Sequence, residues 1–222
     1  MLPEVGIDGQ KALSEASVLV VGVGGLGSPL SLYLCAAGVG RLGLIDADVV
    51  SESNLQRQVL YTEAEVGQPK VECAARTLAC HNSSCVIDTY PCFLTRENAE
   101  EIISRYDIVA DGCDNFATRY LIDDLCARLG KPYVYGSIMG LRGQVSVFNG
   151  GRARRYQDLY SDRAELEARP KATAGVMGPT PAVVGSMEAA EAIKIITGCG
   201  TPLYNRLFSI DLATMESSVL DL

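Results

Sequence analysis

The chain of 222 residues is short of several features that would place it in a class at once. It has no run approaching the roughly 18 consecutive apolar residues of a membrane-spanning helix. Its N-terminus has no basic stretch followed by an apolar segment and a cleavage site. Those two absences argue against a membrane partner and lead us to expect a cytoplasmic protein. A basic block is also missing: the net charge is -8, with both signs mixed along the chain, which argues against the electrostatic footprint of a nucleic-acid binder. Eight cysteines are present, at positions 35, 73, 80, 85, 92, 113, 126 and 199, but none form a CxxC pair. Most lie in apolar or helical runs and read as reduced, small, buried hydrophobes. The single histidine, His81, sits near a predicted helix end among Cys80, Asn82 and Ser83. That setting suits a surface or capping residue rather than a general base.

What the chain does have is enough apolar residue, 48% against 21% charged, to bury one sizeable core. We expect a single domain over residues 1–222. Ser17 to Val23 reads as a strand, Ser28 to Gly38 as a helix and Arg41 to Asp46 as a second strand. Lys70 to Asn82 then reads as a helix and Cys85 to Tyr90 as a strand. The alternation continues through Asp107 to Asp111 (strand), Ala117 to Leu129 (helix), Tyr133 to Tyr135 and Gln144 to Phe148 (strands). The charged stretch 149–173 has no sustained apolar period and reads as a mobile crossover, helical in part. A last helix spans Pro181 to Thr197 and stops at Gly198, and Leu203 to Ile210 pairs with Met215 to Leu220 as a closing hairpin. Alternating strands and helices predict an α/β, Rossmann-like, mostly parallel sheet covered on both faces, with an antiparallel extension at the C-terminal end.

Gly22-Val23-Gly24-Gly25-Leu26-Gly27 follows the first strand and opens the first helix. Glycines there let backbone N–H groups and the helix N-terminus approach phosphates. Asp46, at the end of the second strand, is placed to accept from ribose hydroxyls. A nicotinamide cofactor would fit this fingerprint as well, so the deciding segment is the polar one that follows. It contains Asp46, Asp48, Asn54, Arg57 and Gln58, then Lys70. An arginine fork and a compact lysine charge suit a triphosphate, although either cation alone also suits a solvated surface. Past the fourth strand come Asp111, Cys113, Asp114 and Asn115, then Arg119 on the next helix. Asp114 suits a magnesium ion held between phosphate oxygens, or equally a helix cap.

Taken together, the glycine loop, LIDADVVSESNLQRQ, VGQPK, DGCDNFATRY, GLRGQVSVF and TAGVMGPTPAVVGSMEAAEAIK resemble the ThiF/MoeB/HesA family, relatives of ubiquitin-activating enzymes. The likeness covers nearly the whole chain, and NLQRQ with the downstream GQPK and CDN is its most specific part. It implies ATP on Gly22 to Gly27, Asp46 on the ribose, Asn54, Arg57 and Lys70 on the phosphates, and Asp114 on magnesium. It also implies a homodimer and, as substrate, the C-terminal Gly-Gly carboxylate of a ubiquitin-like sulfur carrier of the thiamine or molybdopterin type. That carboxylate becomes an acyl-adenylate.

The chain departs from the family pattern in three places. The two CxxC pairs of zinc-binding members are missing, so no zinc is expected. Lys171 stands where members that link covalently to their carrier have cysteine, which leaves sulfur delivery to a separate sulfurtransferase. Cys113 and Cys199 are candidates to replace it, but both are expected to be buried rather than reactive. The RYxRQ-type segment that precedes LPE in family chains is not seen before Leu2-Pro3-Glu4; truncation, a substitute cation or impaired activity would each explain that. Competing readings are an ATP-dependent relative acting on another substrate such as tRNA, and a nucleotide-binding partner that has lost catalysis. A nicotinamide oxidoreductase comes last.

Overall fold

Five-residue runs such as Ser17-Val-Leu-Val-Val21 carry apolar side chains on both faces, and a strand of that kind needs cover on both sides of its sheet. The computed structural model, which describes residues 2–151, 153–169 and 175–222, has this arrangement. Strands β1 (Ser17–Val21), β2 (Arg41–Ile45), β3 (Val86–Tyr90), β4 (Ile108–Asp111) and β5 (Pro132–Met139) run parallel. Strands β6 (Arg142–Asn149), β7 (Arg206–Asp211) and β8 (Glu216–Asp221) continue the same sheet antiparallel, in the spatial order β3-β2-β1-β4-β5-β6-β7-β8. The expected mixed α/β architecture is therefore the observed one. Strand β5 begins near the predicted start but runs four residues further, to Met139, because it pairs along its full length with β6.

Helices α1 (Gly6–Glu15), α2 (Gly27–Ala37), α3 (Lys70–His81), α4 (Ala99–Ser104), α5 (Phe116–Leu129), α6 (Tyr156–Leu159), α7 (Arg163–Ala168) and α8 (Pro179–Thr197) surround the sheet. Helices α1 and α4 had no counterpart in the sequence reading. The first buries only Gly9 and Leu13, and the second only Ala99, Ile102 and Ile103, so neither shows a long apolar period. Helices α2 and α5 end on left-handed glycines, Gly38 at φ 95° and Gly130 at φ 67°, a backbone state glycine adopts without penalty.

The described part of the charged stretch after β6 forms α6 and α7, and both are tied to α5. Arg155 Nη2 donates to Asp123 Oδ2 (3.0 Å) and Asp124 Oδ1 (2.6 Å), and Arg163 Nη1 donates to Asp124 Oδ2 (2.8 Å). Lys171 lies outside the described residues. Among them, no helix is long and apolar enough to cross a membrane, and all eight cysteines are free thiols.

Helix α8 reaches the glycine turn at the start of α2. It lies across α2, β5 and β6, and at Gly185 an added Cβ would stand 2.3 Å from the Leu26 carbonyl oxygen. Only glycine allows so close an approach between α8 and the start of α2.

Candidate nucleotide-binding site

The carboxyl ends of β1, β2 and β4 meet at one edge, where parallel sheets bind ligands. Gly22 leaves β1 at φ 90°, and a Cβ there would stand 2.6 Å from the Gly112 carbonyl oxygen. A Cβ on Gly27 would stand 1.9 Å from the Gly22 carbonyl oxygen. The glycines therefore do two things: they close the turn, and they set it directly against the loop after β4. No side chain caps the start of α2, so its first N–H groups are available to an anion.

Asp46 braces this loop. Its Oδ2 accepts from the Val23 N–H and its Oδ1 from the Asp48 N–H, both at 2.9 Å. Burial holds its carboxyl above the usual carboxylate pKa, against the pull of those N–H groups and of Lys70. Tyr61 pins the loop from the other side by donating to the Val23 carbonyl at 2.6 Å. The expected ribose ligand is thus also an internal fastener of the turn.

The segment after β2 folds back over the glycines. A Cβ on Gly24 would meet Gln58 Nε2 at 3.5 Å, and one on Gly25 would meet Arg57 Cδ at 3.5 Å and Pro181 at 3.2 Å. Gln58 is buried, with its Oε1 unpartnered. Arg57 Nη1 donates to the Ser53 carbonyl (3.3 Å), and Asn54 Nδ2 contacts Ser53 Oγ (3.3 Å). Lys70 is only 5% exposed in its side chain and pairs with the largely open Asp48 at 3.0 Å. A buried ammonium with a single ion-pair partner keeps donors for an arriving phosphate.

Beyond β4, Asn115 caps α5 by accepting from the Thr118 N–H at 2.9 Å. Capping is therefore the work of Asn115, and Asp114 next to it is an exposed carboxylate on the loop. One exposed carboxylate beside a glycine loop of the kind that cradles phosphates suits the expected magnesium, which takes one or two carboxylates together with substrate phosphates. No group of three or more His, Cys, Asp or Glu able to hold a metal occurs among the described residues.

Two expected site residues face inward. Cys113 is buried and its thiol donates to Asp111 Oδ1; desolvation, reinforced by that carboxylate, raises the thiol well above its ordinary value, so it is not a thiolate. Arg119 is 7% exposed. Its Nε donates to Asp111 Oδ2 (2.9 Å), and its Nη2 donates to the carbonyls of Cys113 and Gly136 (both 3.1 Å). Tyr133 also donates to Asp111 Oδ2, at 2.8 Å. Tyr133 and Glu188 had no site role in the sequence reading, and Asp111 was named in its cluster without a role of its own. Glu188 carried a signal nonetheless: it falls on the buried stripe of α8 with Val184, Gly185, Ala189 and Ala192.

Known proteins resemble this chain in sequence and in fold. The ThiF family profile matches residues 1–222. The sulfur carrier protein adenylyltransferase of Thermus thermophilus is 48% identical over 217 residues, covering 95% of this chain and 80% of that protein. The probable adenylyltransferase/sulfurtransferase MoeZ of Mycobacterium tuberculosis is 45% identical over 221 residues, 97% of this chain and 56% of MoeZ. The adenylyltransferase and sulfurtransferase MOCS3-1 of Zea mays is 44% identical over 223 residues, 100% of this chain and 48% of that one. The chain thus spans about half the length of the latter two. Escherichia coli MccB with ATP superimposes with a TM-score of 0.85 over 97% of this chain and 66% of MccB, at 24% identity, which marks a common fold. With a profile match along its full length and relatives approaching half identical, the chain belongs to the ThiF family.

Proposed function

We propose that this protein is an ATP-dependent adenylyltransferase that activates the C-terminal glycine of a ubiquitin-like sulfur carrier. The observation that carries this reading is the convergence of the glycine loop, Arg57, Lys70 and the Asp114 loop on one sheet edge. Relatives named for the same activity support it.

The carrier's terminal carboxylate is the nucleophile. One of its oxygens bonds to the α-phosphorus of ATP, the bond from that phosphorus to the bridging oxygen breaks, and pyrophosphate leaves with the electron pair. No side chain has to supply a nucleophile or a general base. The protein's task is to hold the phosphates in line with the incoming carboxylate and to offset charge on the departing group. The start of α2 and the loop Gly22–Gly27 face the phosphates, while Arg57 and Lys70 supply the fork and the point charge. Asp46 and Asp48 lie on the ribose side. Asp114 would hold magnesium, which when bound screens the phosphate oxygens.

The carrier is of the ThiS or MoaD type, serving a thiamine, molybdopterin or related sulfur pathway. The enzyme acts as a cytoplasmic homodimer, and a separate sulfurtransferase supplies sulfur. ATP–pyrophosphate exchange with purified protein tests the activity, run with and without candidate carriers ending in Gly-Gly. Carrier-dependent exchange that falls by about a hundredfold or more in Asp114→Ala is the expected result. ATP binding without exchange for any carrier would move the protein to another substrate or to a non-catalytic role.

A further inference from the structure

We infer that Glu188, held as a neutral carboxylic acid where β4 and β5 part, is a positioning residue that keeps Arg119 on Asp111 and thereby keeps the Asp114 loop in shape for nucleotide. The inference rests on the proposal that this loop binds magnesium-ATP.

Strands β4 and β5 pair only at Val109↔Tyr133 and Ala110↔Val134. Past that point Glu188 reaches in from α8. Its seat is built into the sheet at Gly136, where a Cβ would lie 2.3 Å from both Cδ and Oε2 of Glu188. The residue is 0% exposed, and neither carboxyl oxygen has a well-formed hydrogen bond. The other buried glutamate of α8 differs in this respect: Glu191 is paired with Lys194 and accepts from the Leu203 N–H at 2.8 Å. A seated carboxyl without well-formed hydrogen bonds is expensive as an anion and cheap as an acid.

The charged groups facing Glu188 are Asp111 of β4 and Arg119 of α5. Tyr133 and Tyr135 of β5 stand beside them, Tyr133 bonded to Asp111 and Tyr135 beneath the Arg119 guanidinium at 5.3 Å. Desolvation first and the Asp111 carboxylate second raise Glu188 well above the usual carboxylate range, outweighing the pull of Arg119 and of the Asp111 N–H. The buried trio then carries one positive and one negative charge.

Gly136 is the shared element. Its carbonyl accepts from Arg119 Nη2, and its α-carbon seats Glu188. When Glu188 loses its proton to solvent, a second carboxylate competes for the same guanidinium. The donor most exposed to that competition is Nη2, which also holds the Cys113 carbonyl, one residue from Asp114. Ionisation of Glu188 therefore loosens the loop and weakens nucleotide binding.

The test compares pH profiles of carrier-dependent ATP–pyrophosphate exchange in wild type and Glu188→Gln, whose amide stays neutral throughout. Wild type should lose exchange on the alkaline side. Glu188→Gln should match it near neutrality and hold its activity to a pH higher by about one unit or more. In parallel, wild-type protein carrying isotope-labelled glutamate carboxyls should show one resonance titrating far above the rest, absent from Glu188→Gln. Superimposable pH profiles would overturn the inference, as would glutamate resonances that all titrate in the ordinary range. The second readout stands even when the amide variant does not fold. Absence of exchange in wild type at every pH would count against adenylation itself, while the resonance titration would still decide the state of Glu188.

Discussion

Helix α5 anchors two arginine–aspartate clusters, and they differ in what surrounds them. Near its N-terminal end, Arg119 and Asp111 are sealed, with side-chain exposures of 8% and 0%, and lie against Glu188, whose carboxyl oxygens have no well-formed hydrogen bond. One to two turns on, Asp123 and Asp124 meet Arg155 and Arg163 in a cluster open to water on one side, with Asp124 42% exposed and the two arginines 32% and 34%. Buried ion pairs contribute little net stability, yet losing one partner is costly. Open pairs contribute little and lose little. The sealed cluster is thus suited to fixing the shape of a functional loop, and the open one to fastening α6 and α7 to the body of the domain.

The largest expected effect is that of Arg119→Ala, which leaves Asp111 charged and enclosed. It should destabilise the protein by about 3–5 kcal/mol, read from urea unfolding with an unchanged slope. A loss below about 1 kcal/mol would put the sealed cluster in the same class as the open one and erase the contrast.

Asp123→Ala tests the boundary between the two. Asp123 is fully buried although it belongs to the open cluster, and it accepts from the Tyr156 N–H (2.8 Å), Asn149 Nδ2 (3.0 Å) and Arg155 Nη2 (3.0 Å). Removing a charged acceptor of this kind should cost about 1.5–3 kcal/mol. It should also speed proteolysis within residues 153–169, where α6 loses its attachment. Unchanged cleavage there would mean that the aromatic contacts of Tyr156 with Tyr120, Tyr135 and Phe148 hold the segment without Asp123.

Gly136→Ala probes the sealed cluster by volume rather than by charge. Its Cβ would overlap the Glu188 carboxyl, and overpacking of this sort costs about 1–3 kcal/mol. Combining it with Glu188→Ala should recover much of that loss, whereas combining it with Glu188→Gln should not, because the amide fills the same space. A double-mutant cycle measures the difference, and additivity in both combinations would show that Glu188 does not occupy the seat.

These contrasts also mark how far the sequence could be read. Strand runs such as Val18–Val21, the Gly22–Gly27 turn and the stop at Gly198 announce themselves by local pattern, and they lie where they were expected. Part of the candidate site's layout was legible too: Arg57 Cδ lies beside Gly25 and Asp46 accepts from the Val23 N–H, so both stand at the glycine loop. What local pattern could not show is which polar residues face inward. Arg119, on the helix after the loop, reads as one more cation of the ligand site, and only the fold brings it onto Asp111 and the Gly136 carbonyl of β5. Glu188 breaks an apolar stripe, but its meaning depends on Gly136, 52 positions earlier in the chain.

The smallest effect belongs to Asp124→Asn, and its sign with pH is what makes it informative. Burial opposes the charge on Asp124, but hydrogen bonds from Arg163 and Arg155 outweigh it and hold the carboxyl below its ordinary value. The unfolded chain therefore binds more protons than the folded one between the two titration points. The contribution of Asp124 is full above the unfolded value of about 3.9 and is lost as the pH falls through the lower folded value. Because the pair is partly open to water, Asp124→Asn should cost no more than about 1 kcal/mol near neutrality, and less still in high salt, which screens open pairs more than buried ones. The difference between variant and wild type, measured by denaturant unfolding, should shrink toward zero in acid. A difference that survives both acid and salt would mean that Asp124 acts through a neutral hydrogen bond, and the open cluster would then resemble the sealed one more closely than its exposure implies.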